Sequence, residues 1–323
     1  MPVRQIQIPT VSMLAFRRLA IVAAVLLGAI VITGAAVRLT DSGLGCSTWP
    51  RCTSTSLVAP ASYHALVEFI NRVITTLVGV FIALVAVASF RLSQRRTDLR
   101  WLSGALIAGF IGQAVVGGLS VLFDLTPPLV MAHFLLSMLL LWAALVLVHR
   151  AQPDWQPESV RVRRELLLLG RLLVAVAGVV LFLGTVTTGT GPHAGSGDHI
   201  RRLDFPLERV TQLHADSALL LTGLVVATLF AVRLAAAPSE VVRRSWWLAG
   251  AVVSQVAIGY TQYFLNLPAS VVGLHVAGAT ILWAATIWLH LGYSAPPRPV
   301  VIPDQAAAAL SRRRLAAGSK QTG

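Results

Sequence analysis

Charge and sulfur are scarce in this 323-residue chain: 12% of its residues are Asp, Glu, Lys or Arg, two are cysteine, and Lys320 is the single lysine among 26 cations. With so little charge, 56% hydrophobic residues and a mean hydropathy of +0.75, the composition is not that of a water-soluble domain. Two cysteines are too few for a disulfide scaffold or a four-cysteine metal site. No Walker A or Rossmann glycine pattern occurs, which argues against a nucleotide enzyme. The formal charge of +13 would suggest nucleic acid in a soluble chain. Here the arginines gather at the ends of apolar runs, which is the signature of membrane topology, so no nucleic-acid partner is expected and the lipid bilayer is.

About 20 apolar residues cross a bilayer as a helix. Eight stretches meet that length: 14–37, 64–90, 101–123, 129–149, 166–189, 208–232, 246–266 and 269–291. Arg17 and Arg18 precede the first without a small-residue cleavage site after a short core, so it reads as a retained span. The amino terminus with Arg4, the linkers carrying Arg91 to Arg100, Arg150 to Arg164 and Arg233 to Arg244, and the tail with Arg312 to Arg314 all fall on one side. The charge rule makes that side cytoplasmic, with both termini inside a bacterial cell membrane. The parts are then a cytoplasmic segment 1–13, a first four-helix half 14–149, a linker 150–165, a second half 166–291, and a disordered tail 292–323.

The halves repeat. Residues 113–133 laid on 255–275 pair Gln113 with Gln255, Gly117 with Gly259, Leu125 with Leu267, Val130 with Val272 and His133 with His275, and set Asp124 beside Asn266. Gly34, Thr40 and Gly45 match Gly184, Thr190 and Gly195, and Gly79 and Ala83 match Gly223 and Ala227. Four helices are an even number, so both halves insert the same way up. The expected fold is an all-α integral membrane protein of two tandem four-helix bundles related by a pseudo-two-fold axis along the membrane normal.

Eight histidines sort by depth. His149 and His290 at inner helix ends, and His193 and His199 beside Asp198 in an outer loop, read as solvated interface residues. His133, His214 and His275 lie one to two turns inside the outer ends of the fourth, sixth and eighth spans, and His64 opens the second. Buried polar groups in a membrane are costly and tend to be functional. Imidazoles on facing helices can hold haem iron on both faces, whereas no adjacent Cys or Glu completes a zinc set. Pairing by half gives His214 with His275, and His133 with a residue of the second span. There the repeat sets Ile70 or Asn71 opposite His214, while His64, Glu68 and Asn71 share a helix face. Glu68 is either a proton-passing carboxylate or one neutralised by Arg72 or Arg38. Those two arginines suit acidic groups such as haem propionates, or are interfacial anchors. Cys46 and Cys52, in the loop Gly43-Leu-Gly-Cys-Ser-Thr-Trp-Pro-Arg-Cys52, read as a disulfide that is either a structural clip or a redox pair.

The loop Arg38-Leu-Thr-Asp-Ser-Gly-Leu-Gly-Cys46 with Trp49-Pro50 and Cys52, the segment Glu68-Phe-Ile-Asn-Arg72, and one histidine on each of the last three even-numbered spans resemble the haem A synthase family. The resemblance covers nearly the whole eight-helix body. It implies oxidation of the C8 methyl of haem O to a formyl group through successive hydroxylations, for cytochrome c oxidase, with haem b as cofactor. It assigns His214 and His275 as axial ligands of haem b and His133 to the site of substrate haem O. It makes Glu68 the catalytic glutamate and Cys46 with Cys52 the outer-loop pair. Many members have Glu-x-x-His-Arg where this chain has Asn71, and His64 is the candidate to serve the same site. Competing readings are a bis-histidine haem b electron carrier and a proton-linked transporter. The enzyme reading leaves room for haem O synthase, oxidase assembly factors, an unidentified electron donor and a second copy of the chain as partners.

Overall fold

In hydrocarbon the backbone has no water to bond to, so apolar runs of this length must satisfy their own N–H and C=O groups as helices. The computed structural model describes residues 10–153, 155, 160, 162–197 and 200–294 and contains α1 (Met13–Leu39), α2 (Tyr63–Phe90), α3 (Thr97–Leu122), α4 (Pro127–Arg150), α5 (Arg164–Thr190), α6 (Leu207–Leu234), α7 (Ser239–Phe264) and α8 (Ala269–Gly292). Among the described residues there is no β-strand. The amino-terminal segment 1–9, the tail from 295, and Asp198 with His199 lie outside the described residues.

Seven of these helices are long and apolar enough to cross a membrane; α7 is the exception. It is as long as α3, but Glu240, Arg243, Arg244, Gln255 and Gln262 lower its hydropathy. It also starts well before the expected residue 246. Arg244 is buried there, paired with Glu240 at 2.5 Å and donating to the Trp288 carbonyl of α8 at 2.5 Å, so its first turns pack as protein interior despite their charge.

The turns between α3 and α4 and between α7 and α8 repeat atom for atom. Asp124 and Leu125 have φ of 49° and 53°, and Asn266 and Leu267 both have 58°. Leu125 N–H donates to Ser120 O at 2.7 Å, and Leu267 N–H to Gln262 O at 2.8 Å. Asp and Asn tolerate the left-handed region, but leucine does so at a cost, which both turns bear at the same place.

Packing is circular within each set of four. α1 meets α2 and α4, and α3 meets α2 and α4; α5 meets α6 and α8, and α7 meets α6 and α8. Across the sets, α4 touches α5 and α8, and α1 touches α8. One apolar core joins Phe16, Leu27, Ile82, Leu99, Leu106 and Leu147 of α1–α4. The other joins Leu173, Val225, Leu248, Trp283 and Ile287 of α5–α8 with Met138 and Leu141 of α4. Outward positions are apolar as well, for example Trp101 at 77% and Leu219 at 71% exposure, which suits a hydrocarbon surround and would be a liability in water.

Candidate functional site

Helices α4, α6 and α8 each carry one imidazole against a glycine of the preceding helix. A Cβ built on Gly117 of α3 would lie 2.9 Å from His133 Cε1, one on Gly184 of α5 3.1 Å from His214 Cε1, and one on Gly259 of α7 3.4 Å from His275 Cε1. The Nδ1 atoms of His133 and His275 are buried without a hydrogen-bond partner, and His214 lies against the Val180 backbone of α5. Glutamines at repeat-related places hold the backbone of two of these histidines: Gln113 Nε2 donates to His133 O at 3.1 Å, and Gln255 Nε2 to His275 O at 2.8 Å. A methyl at Gly117 would displace the ring and one at Gly184 would crowd it, whereas at Gly259 it would reach ordinary contact distance.

His214 and His275 face one another with ring centres 6.2 Å apart and planes at 75°. Two imidazoles coordinating one iron from opposite sides, with metal–nitrogen bonds of about 2 Å and roughly 1.2 Å from nitrogen to ring centre, have centres about 6 Å apart. The separation and the glycine cradles therefore fit a bis-imidazole haem between α6 and α8.

Around α2 the arrangement differs. Asn71 Oδ1 accepts from Thr33 Oγ1 of α1 at 2.8 Å, and a Cβ on nearby Gly34, the repeat mate of Gly184, would meet nothing within 4 Å. Where the second set puts an imidazole on its glycine, the first has a short amide tied sideways. His64 is exposed, and its Nδ1 lies 3.0 Å from Ser42 Oγ. Glu68 is 5% exposed; its Oε1 takes Arg72 Nη2 at 2.5 Å and its Oε2 takes the Cys46 N–H at 2.7 Å. The common face expected of His64, Glu68 and Asn71 is thus divided: the first two meet the 42–46 loop and the third meets α1. Of the two arginines near Glu68 in the sequence, Arg72 is the one paired with it.

That loop is clipped by a disulfide between Cys46 and Cys52, both buried. Arg72 Nη1 also donates to the carbonyls of Thr48 and Arg51, each at 3.2 Å, and Trp49 packs on Gly118 of α3. Gly43 and Gly45 act here by close approach: Gly43 N–H donates to Gly195 O at 2.8 Å, and Gly45 lies on the His64 carbonyl. Arg38 leaves its own set of helices, its Nε donating to His193 O at 2.6 Å and its Nη2 to Thr188 O at 2.9 Å at the end of α5.

Two expectations for histidines are corrected. His193 is not simply solvated: its Nε2 lies 2.8 Å from the Leu267 carbonyl, which ties the α5–α6 connection to the α7–α8 turn. His149 is 6% exposed, beside Gln152 and within the fold, because the chain after α4 folds back over the helix end. The site residues that sequence reasoning missed are Gln113, Gln255 and the three cradle glycines. Gln113, Gln255, Gly117 and Gly259 were visible as repeat identities, and Gly184 as a match to Gly34.

The cytochrome oxidase assembly protein family, COX15-CtaA, matches residues 17–287. A protein named heme A synthase from Symbiobacterium thermophilum is 28% identical over 277 residues, covering 80% of this chain and 89% of that protein. Proteins of the same name from Shouchella clausii and Lysinibacillus sphaericus are 27% identical over 144 residues and 30% over 119, covering 44% and 36% of this chain and 48% and 39% of those relatives. The matched segment thus spans about half or less of the length of these last two relatives. The match over residues 17–287 takes in His64, His133, His214, His275, the cradle glycines and the disulfide loop, and the chain belongs to the cytochrome oxidase assembly protein family.

Proposed function

We propose that this protein is a haem A synthase that oxidises the C8 methyl of haem O to a formyl group through successive hydroxylations. The observation that carries the reading is the facing pair His214 and His275, each backed by a glycine, in a chain whose relatives bear that name. Haem b held there by both imidazoles would supply one-electron redox chemistry. Gly184 and Gly259 leave room for the two rings, and Gln255 holds the backbone of His275. The repeated turns, the repeated glutamine contacts and the two closed circuits of helices support two tandem bundles; the distribution of arginines and the bacterial relatives support a bacterial cell membrane with both termini cytoplasmic.

In the first half, His133 and, by its place at the head of α2, His64 would flank substrate haem O. Oxidation of a methyl carbon releases protons as an external oxidant takes the electrons, and Glu68 is the carboxylate that would take up such a proton. Arg72 holds its Oε1, so Oε2 is the atom at which a proton would be held, in exchange for the Cys46 N–H. Arg72 and Arg38 are occupied by the loop and by α5, so a role toward propionates would require them to exchange those bonds.

One observation favours a second reading, a bis-histidine haem b electron carrier: Glu68 is fully satisfied by Arg72 and Cys46, as a structural carboxylate would be. Product analysis after incubation with haem O separates the two. The Glu68→Ala protein is expected to keep its haem b and to lose formyl product; formyl product at the wild-type level would remove Glu68 from the mechanism, and wild-type protein that leaves haem O unaltered would favour the carrier.

A further inference from the structure

A cavity of about 260 Å³ lies between the carboxyl ends of α4 and α8, at the arginine-rich end of the bundle. Sixteen residues of α4 separate His149 on its wall from His133, which puts it about 24 Å along the helix from the imidazole site. Its polar wall is built from Trp142, His149, Arg150, Trp155, His290 and Ser294. Each can donate an N–H or O–H bond, and among the described lining residues none is a carboxylate.

The wall is held in place by its neighbours. Trp142 stands edge-on to Trp283 at 6.0 Å, and Trp283 Nε1 donates to the Met138 carbonyl at 3.0 Å. The Arg150 guanidinium lies over the Trp155 ring at 5.4 Å, with Arg96 over the same ring at 5.0 Å. Arg96 holds Asp98 through two bonds of 2.9 Å and donates to Arg150 O at 3.0 Å. His290 stands edge-on to the buried Tyr293 at 6.0 Å, with its Nδ1 unpartnered beside Gly170. A wall with one arginine, two imidazoles and two indoles and no carboxylate favours an anion with several acceptor oxygens, and indoles with an arginine at a helix end are the usual furniture of a headgroup layer.

We propose that this cavity binds a phosphate group, and that at this depth its source is the headgroup of an anionic phospholipid. The inference does not depend on the proposed haem chemistry.

Full-length protein carrying its haem would be exchanged from discs of phosphatidylcholine, with or without phosphatidylglycerol, into detergent, and bound lipid counted by native mass spectrometry. Wild type is expected to retain phosphatidylglycerol. Arg150→Gln and His290→Gln should each lower retention by about fivefold, roughly 1 kcal/mol. Arg95→Gln, an exposed arginine at the same end, should not. An unchanged circular dichroism spectrum and melting temperature verify folding, and His290→Gln carries the test should Arg150→Gln fail to fold. In a parallel arm, thermal protection of delipidated protein by inorganic phosphate, abolished by the same variants, would keep the phosphate site and assign it to a soluble anion. Equal lipid retention in all four proteins with no protection by phosphate overturns the proposal.

Discussion

The two sets of four helices use the same parts to different ends. In α5–α8, glycines at 184 and 259 let two imidazoles stand 6.2 Å apart, with Gln255 holding the backbone of His275. In α1–α4, Gly117, Gln113 and His133 repeat half of that device. On α2 the partner is Asn71, turned to Thr33, and Gly34 has no ring against it. What the first set has instead is the disulfide loop with Glu68 and Arg72 beneath it.

The largest expected effect on this comparison comes from removing a ligand. His275→Ala should abolish second-half haem b, whereas His133→Ala should leave it in place; haem content by extraction measures both. Loss of haem b from both variants alike would mean that the halves do not hold porphyrin separately.

A smaller effect is expected from the cradles. Gly184→Ala puts a methyl 3.1 Å from the His214 ring, an overpacking that costs about 1–3 kcal/mol and should weaken haem b retention in a chelator or apo-globin competition. Gly34→Ala meets nothing within 4 Å, so haem b retention should stay at the wild-type level, with up to about 1 kcal/mol gained from helix propensity. Equal losses in the two variants would show that the cradle has no bearing on the ligand.

Much of this was legible in the sequence. Hydropathy placed all eight helices to within a few residues except at the start of α7, where buried Arg244 and Glu240 hid a helix beginning. The depth of His133, His214 and His275 and the pairing of Cys46 with Cys52 also followed from spacing and motif. What the sequence could not place were contacts set by the crossing of helices far apart in the chain. Gly117 and Gly259 were seen as repeat identities, but that each cradles an imidazole depends on how α3 meets α4 and α7 meets α8. Arg38 was expected to face an acidic ligand or the interface, and it spans instead to the end of α5, some 150 residues on, which no local pattern encodes. His149 was expected to be solvated because helix ends normally are, and the fold-back after α4 buries it.

The central claim is that α6 and α8 hold one haem between His214 and His275. Low-temperature electron paramagnetic resonance of the oxidised, purified protein tests it most directly. The account predicts a low-spin signal of a bis-imidazole haem that disappears when either histidine becomes alanine; a protein without haem, or a signal that persists in both variants, would contradict it.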